Sequence, residues 1–362
     1  MKRILFLVLL IILLIGLVVF SNACFDAAKR GIDICIYTIL PTLLPFFIVS
    51  NLLISSRALQ PVERLFAPLT KRLLGLDGSF GFVYVSSSLS GYPIGAKITC
   101  DLKKEGIISE NQAERFALFS SVTGPAFMSV ICISILKVPE AFIHILISHN
   151  FSMILIIALY TLIYKKENCL KGVIKRSGTE RGLEYSKLLT ESLISSFKTL
   201  AVIFELVIVF FVIAAIITQI GLLEKIYYLF SDIPMERTPI KPLFYGFLEM
   251  TAGCITTGES SLPFDIKASL CAGLLGFGGL SIFSQTKSIL SSQKIKAKGL
   301  FIIKLFHGIL SYILCSLMLK LFPIQIKTAA TPVTADNFKF LYLYIPVLLF
   351  LYLIIYLKKK MT

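Results

Sequence analysis

From its first residues the chain alternates long apolar runs with short polar ones. The runs near 4–20, 34–54, 115–136, 141–164, 199–220, 264–286, 299–322 and 338–357 each approach the length a helix needs to cross the hydrocarbon of a bilayer. This pattern predicts an all-α polytopic membrane protein with about eight transmembrane helices. Two further segments, 80–100 and 242–262, are apolar enough to enter lipid but crowded with small and helix-breaking residues. Ser86, Ser87, Ser88, Ser90, Gly91, Pro93 and Gly95 fill the first; Gly246, Gly253, Thr256, Thr257, Gly258 and the adjoining Pro263 fill the second. Both are expected to dip into the membrane and return as re-entrant hairpins, a form that lipid tolerates only where protein or a watery cavity surrounds the backbone.

Composition supports lipid as the solvent. Hydrophobic residues are 56% of the 362 and charged residues 16%, more apolar than one soluble core requires. The net charge of +15 sits in short blocks between apolar runs: Lys2-Arg3, Arg57 to Arg72, Lys165 to Lys187, Lys287 to Lys298, and Lys358 to Lys360. No arginine-rich or aromatic-interleaved surface tracks phosphates, so nucleic acid is not an expected partner. Basic residues accumulate on the cytoplasmic side, and all five blocks fall there if each hairpin leaves by the face it entered. Eight spans with both termini in the cytoplasm follow. The first run, with Lys2-Arg3 before it and Ser21-Asn22-Ala23 after it, resembles a signal peptide. It is longer than a usual h-region and more spans follow, so an uncleaved signal anchor over residues 1–30 is expected.

An internal match gives the chain a second level of order. Phe119 to Leu136 aligns without gaps on Gly273 to Leu290, placing Gly124 on Gly278. Gly81-Phe82 opens the first hairpin as Gly246-Phe247 opens the second, and Glu63-Arg-Leu-Phe resembles Glu224-Lys-Ile-Tyr upstream. In the predicted topology the two units are inverted relative to each other, a plan that secondary transporters use to hold substrate near the midplane. Thr123-Gly124-Pro125 is expected to break its helix, because proline lacks the backbone donor and clashes with the preceding turn. Gly276-Phe277-Gly278-Gly279 is expected to loosen the other. Close helix packing is the alternative role for these glycines.

The residue types that carry chemistry are sparse. Ser90-Gly-Tyr-Pro-Ile-Gly-Ala-Lys97 lacks the spacing of a phosphate loop, so nucleotide hydrolysis is excluded and transport would be passive or ion-coupled. Ionisable groups inside membrane segments are functional candidates, foremost Lys97, Glu249, Glu259 and Lys287, with Glu205 in a span. Lys97 reads as counter-charge to an anion or as a snorkelling anchor, Glu249 as a proton or cation site, and Glu259 as a site residue or a helix cap. The expected substrate site joins Ser88, Ser90, Gly91, Tyr92 and Lys97 to Thr123 and Gly124. From the second unit it takes Glu249, Thr256, Thr257, Glu259, Gly278, Ser281 and Gln285. The three histidines form no ligand cluster, His144 and His149 pointing in different directions around one helix, and the eight cysteines stand singly. No metal, cofactor, disulfide or catalytic triad is expected, and the chain does not read as an enzyme.

Leu40-Pro-Thr-Leu-Leu-Pro-Phe-Phe47, Ser90-Gly-Tyr-Pro-Ile-Gly-Ala-Lys97 and Gly278-Gly-Leu-Ser-Ile-Phe-Ser-Gln285 resemble the YlbJ-type sporulation integral membrane proteins, in order along nearly the whole chain. The resemblance implies a Gate-domain protein distantly similar to concentrative nucleoside transporters. It implies passage of dipicolinic acid, a small anionic solute, across the outer forespore membrane from the mother cell. The chain departs from the aromatic-rich family pattern in having no tryptophan. It divides into the anchor at 1–30, a first Gate-like repeat at 31–140 and a connecting helix with a basic loop at 141–198. A second, inverted repeat follows at 199–290, then two helices and a basic tail at 291–362. A nucleoside or other small-metabolite carrier, and a non-transporting scaffold for cortex assembly acting through the Lys165–Lys187 loop, are the competing readings. Coupling ion and oligomeric state are left open.

Overall fold

The computed structural model describes residues 2–55, 70, 78–104, 106–163, 185–229, 235 and 238–324, and among these every regular element is helical. The expected span at 338–357 lies outside the described residues, as do Glu63 to Phe66, the 358–360 block and most of the 165–187 block. Four helical stretches are long and apolar enough to cross a membrane: Ala141–Thr161, Ser186–Gln219, Phe264–Ser292 and Leu300–Leu321. A fifth stretch exists only if α1 (Lys2–Val19) and α2 (Ser21–Ile34) act together, because the chain bends by 99° between them. The described residues therefore carry four clear spans rather than the eight read from hydropathy along the whole chain. The 34–54 run is a π turn at Cys35–Ile39 leading into α3 (Leu40–Ser55).

Each segment read as a hairpin is two short helices. In the first, α4 (Gly78–Ser90) and α5 (Ile94–Lys104) meet at Gly91-Tyr92-Pro93, whose Tyr92–Pro93 peptide bond is cis. In the second, α11 (Ile240–Leu248) and α12 (Met250–Glu259) meet at Glu249, which alone is extended (φ −149°, ψ 125°). Between the hairpins, α6 (Glu110–Phe119) starts with a capping box, Ser109 and Gln112 each bonding the other's backbone. Next come α7 (Pro125–Val130), α8 (Ala141–Ile163), α9 (Tyr185–Gln219) and the short α10 (Leu222–Tyr228). The chain then runs from the second hairpin into α13 (Phe264–Phe277), α14 (Gly279–Ser292) and α15 (Leu300–Leu321).

Both helices expected to break do so, each for its own chemical reason. Ser120 to Gly124 are non-helical, and Pro125 restarts the chain at the first position of α7, where its missing N–H has no helical partner to lose. The second break comes from backbone handedness: Gly278 and Gly279 have φ of +83° and +78°, which ends α13 and starts α14 in one step. Gly276 serves the alternative role, since a Cβ there would lie 2.9 Å from the Cα of Gly308, so α13 and α15 pack backbone to backbone.

Small polar side chains join the long helices where lipid supplies no hydrophobic drive between them. Asn51 donates to Ser196 at 2.9 Å, linking α3 to α9; Ser152 and Ser311 bond at 2.7 Å, linking α8 to α15; Thr218 and Tyr245 bond at 2.7 Å, linking α9 to α11. Large apolar side chains such as Val18, Ile163, Val209, Ile302 and Ile313 point outward, as lipid-facing surfaces require.

Candidate functional site

The tip of each hairpin packs on the break of the helix that follows it. A Cβ on Gly124 would lie 3.0 Å from Gly91 N and 3.1 Å from Leu89 O, so only glycine lets the first tip and first break touch. A Cβ on Gly279 would lie 3.1 Å from Glu249 Cα, so the second tip and second break approach equally closely. Where the two pairs meet they enclose a cavity whose open space, mouth included, is about 530 Å³. Ser90, Gly91 and Tyr92 from the first tip, and Thr123 and Gly124 from the first break, line it. Glu249 and Thr251 from the second tip, and Ser281 and Gln285 after the second break, complete its polar wall. Phe47, Phe127, Ile203, Val207 and Met250 supply apolar wall.

Among the described residues Glu249 is the one ionisable acid lining this cavity, and it is buried at 3% exposure. It caps α12: Ala252 N donates to Oε2 at 2.7 Å and the Thr251 hydroxyl donates to Oε1 at 3.0 Å. Ser90 Oγ and Gln285 Oε1 are buried with no hydrogen-bond partner among the described residues. Unpaired buried polar atoms are rare, and two on one cavity wall are what a polar ligand would satisfy.

The other predicted site residues fall elsewhere. Lys97 is exposed on α5, outside the cavity wall. Thr256 and Thr257 bond back to Ala252 and Gly253 carbonyls of their own helix, because a threonine hydroxyl in a helix readily reaches the preceding turn. Glu259 is exposed and pairs with Arg30 of α2. Ser88 has an unpartnered hydroxyl but lies off the wall. Gly278 sits behind the wall, where an added Cβ would lie 3.2 Å from the Tyr92 hydroxyl. Glu205 and Lys287 are exposed, Lys287 lying over the Phe283 ring.

A buried polar cluster behind Tyr92 escaped the sequence reading. Lys304 of α15 is 3% exposed; its Nζ donates to Tyr92 Oη at 2.6 Å and to Ser121 O at 2.9 Å, and lies 4.7 Å from the Tyr92 ring centre. Tyr92 Oη in turn donates to Leu275 O at 2.9 Å, and Thr123 Oγ1 donates to the same carbonyl at 3.0 Å. Thr123 N donates to His149 Nε2 at 3.1 Å, and the rings of His149 and His307 stand 4.4 Å apart. His144 points away, its Nε2 against Phe322 O, so the two histidines of α8 do face different ways. The missed signal was a lysine and a histidine three residues apart in a run otherwise fit to span lipid, which places both on one helix face. Among the described residues no group of three or more His, Cys, Asp and Glu is placed to hold a metal.

Fold and site together define an all-helical integral membrane protein with two hairpins and two broken helices closing on one cavity. A family model described as Gate, nucleoside recognition, matches residues 36–138. The chain is similar to the sporulation integral membrane protein YlbJ of Bacillus subtilis (strain 168), 27% identical over 319 residues, which are 83% of this chain and 78% of that protein. No solved structure matches the chain significantly.

Proposed function

We propose that this chain is a membrane transporter of sporulating cells that carries a small anionic solute, dipicolinic acid, across the outer forespore membrane. The YlbJ relative supports the sporulation setting, and the Gate match, described as nucleoside recognition, supports a transporter-like role with a small-solute site. One observation carries the site: both hairpin tips and both helix breaks converge on one cavity that presents the unpartnered Ser90 Oγ and Gln285 Oε1. In this reading the two hairpins are re-entrant, the two units are inverted, and both termini face the cytoplasm. The solute is a flat aromatic dicarboxylate: its ring lies against Tyr92, Phe47 and Phe127, one carboxylate accepts from the Ser90 hydroxyl, and Gln285 Oε1 accepts from a solute donor such as a protonated carboxyl. Glu249 does not repel it fully, because the Ala252 N–H and the Thr251 hydroxyl already offset that carboxylate.

Flux of labelled dipicolinate into liposomes holding the purified protein tests the reading. Saturable uptake that an excess of unlabelled dipicolinate abolishes supports it; uptake no faster than in protein-free liposomes sinks it. The Gate description favours one second reading, a nucleoside carrier on the same scaffold. Uptake of labelled nucleoside but not dipicolinate in the same vesicles selects it.

A further inference from the structure

We infer that Lys304, Tyr92, His149 and His307 form a proton-binding relay whose occupancy sets how firmly the first hairpin is held against the second broken helix. The inference rests on the transport reading, because it names the ion coupled to that site.

Four observations lead to it. Lys304 is buried in a helix of spanning length and, among the described residues, forms no ion pair; it donates to a phenol and a carbonyl, both neutral. A lysine at membrane depth without a counter-charge is costly, and an apolar residue would pack there at no such cost. Second, the histidine pair has a defined proton arrangement. His149 Nε2 accepts from Thr123 N, so the ring proton of His149 is on Nδ1; His307 Nε2 faces the His149 carbonyl and must donate, so His307 Nδ1 carries a lone pair. Third, His149 Nδ1 is buried without a hydrogen bond, and the His307 ring, whose Nε2 faces the His149 carbonyl, also lies against the Gly276 backbone. A second proton on His307 would therefore meet a carbonyl, while the His149 N–H stays unsatisfied, the state expected of a site passing a proton rather than of a settled core.

The fourth observation connects this cluster to both units. Gly124 aligns with Gly278, so Ser121 and Leu275 are equivalent positions, each three residues before its aligned glycine. Lys304 Nζ engages Ser121 O and Tyr92 Oη engages Leu275 O, which makes the Lys304–Tyr92 hydrogen bond a bridge between equivalent carbonyls of the two units. With Lys304 protonated, Nζ donates to the phenol and the phenol proton points to Leu275 O. When Nζ loses a proton it gains a lone pair, the phenol proton turns to it, and Leu275 O keeps only Thr123 Oγ1. The proton that leaves is accepted at the lone pair of His307 Nδ1, one helical turn along the same face. No electron moves and no other bond breaks. His149 then reports the charge to the cavity wall through its bond to Thr123 N.

The groups around the relay are few. Hairpin one brings Tyr92, α8 brings His149, and α13 brings the Leu275 and Gly276 backbone, with Cys271 one turn earlier and Asp265 and Lys267 at its other end. The first break brings Ser121 O and Thr123, and α6 carries Glu110, Glu114 and Arg115, none of them buried.

The chain has only three histidines, so ring-¹⁵N-histidine labelling of the full protein in micelles gives three resonance pairs, with His144→Gln assigning one. At least one of His149 and His307 is expected to show a pH-dependent change of its ring resonances, at a midpoint that Lys304→Met displaces. If neither ring titrates, or if the midpoint ignores Lys304, the relay is overturned. Lys304→Arg keeps the charge and is the substitute should Lys304→Met not purify as a monodisperse protein; it too must displace the midpoint. In liposomes, a pH gradient should raise dipicolinate accumulation about fivefold or more, the lower end of ordinary coupling. His307→Gln should remove that gain while leaving dipicolinate exchange without a gradient. Gradient-driven accumulation that persists in His307→Gln overturns the relay. Proton uptake by the histidines with no dipicolinate flux in any vesicle would instead discard the substrate and keep the proton site.

Discussion

Lys304 and Tyr92 share a 2.6 Å hydrogen bond that joins residues 212 apart and, through Ser121 O and Leu275 O, ties together the two helix breaks. A break exposes carbonyls that a continuous helix would have satisfied internally, and lipid offers them no donor. The bridge supplies donors to both breaks from one pair of side chains.

Removing the phenol should therefore loosen the assembly. Tyr92→Phe deletes the donor to Leu275 O and the acceptor for Lys304 Nζ, at an expected cost of about 1–3 kcal/mol. Thermal unfolding in detergent should show a lower midpoint than for wild type, and an unchanged midpoint would mean the bridge is not formed.

Gly124→Ala tests the contact between tip and break. The new Cβ would lie 3.0 Å from Gly91 N and 3.1 Å from Leu89 O, all backbone, so the first hairpin must withdraw. Solute flux should fall by about tenfold or more, since small displacements of positioned groups are costly. Ser291→Ala, at an exposed position of α14, should leave flux unchanged.

Binding, as distinct from stability, should separate two residues of the expected site. Gln285→Leu removes a polar group lining the cavity and should weaken solute binding by about 1 kcal/mol or more, while Lys97→Ala, outside the wall, should leave it unaltered. Titration calorimetry with dipicolinate measures both, and a loss confined to Lys97→Ala would relocate the site.

Glu249 has a structural role that two substitutions can isolate. Glu249→Ala loses the cap of α12 and should cost about 1 kcal/mol, whereas Glu249→Gln keeps an acceptor for Ala252 N and should cost less. Equal unfolding midpoints for the two variants would contradict the capping geometry.

The outward Arg30–Glu259 pair should matter little. Both side chains are about half exposed, at 51% and 56%, so Arg30→Ala should change stability by less than about 1 kcal/mol.

Much of the architecture was legible along the chain because its causes are local. Pro125 must start a helix rather than sit inside one, and Gly278-Gly279 permit the left-handed backbone that ends α13. Gly91-Tyr92-Pro93 marks a turn for the same kind of reason, and the apolar runs at 141–164 and 299–322 are helices because their length and hydropathy leave no other structure in lipid. The 99° bend after Val19 and the extension of α9 back to Tyr185 carried no comparable local signal.

What the sequence by itself determined, then, is where the backbone must break and which segments lipid can hold, since both follow from the chemistry of a few consecutive residues. Only the tertiary structure decided which polar groups meet. Lys97 and Lys304 are both lysines in apolar surroundings, yet one is turned outward and the other is enclosed by Tyr92 and Ser121, and the tilted rings of His149 and His307 meet across 158 residues of chain. Those contacts depend on how α8, α13 and α15 pack, with Gly276 and Gly308 allowing two backbones to touch, and no spacing along the chain encodes that approach.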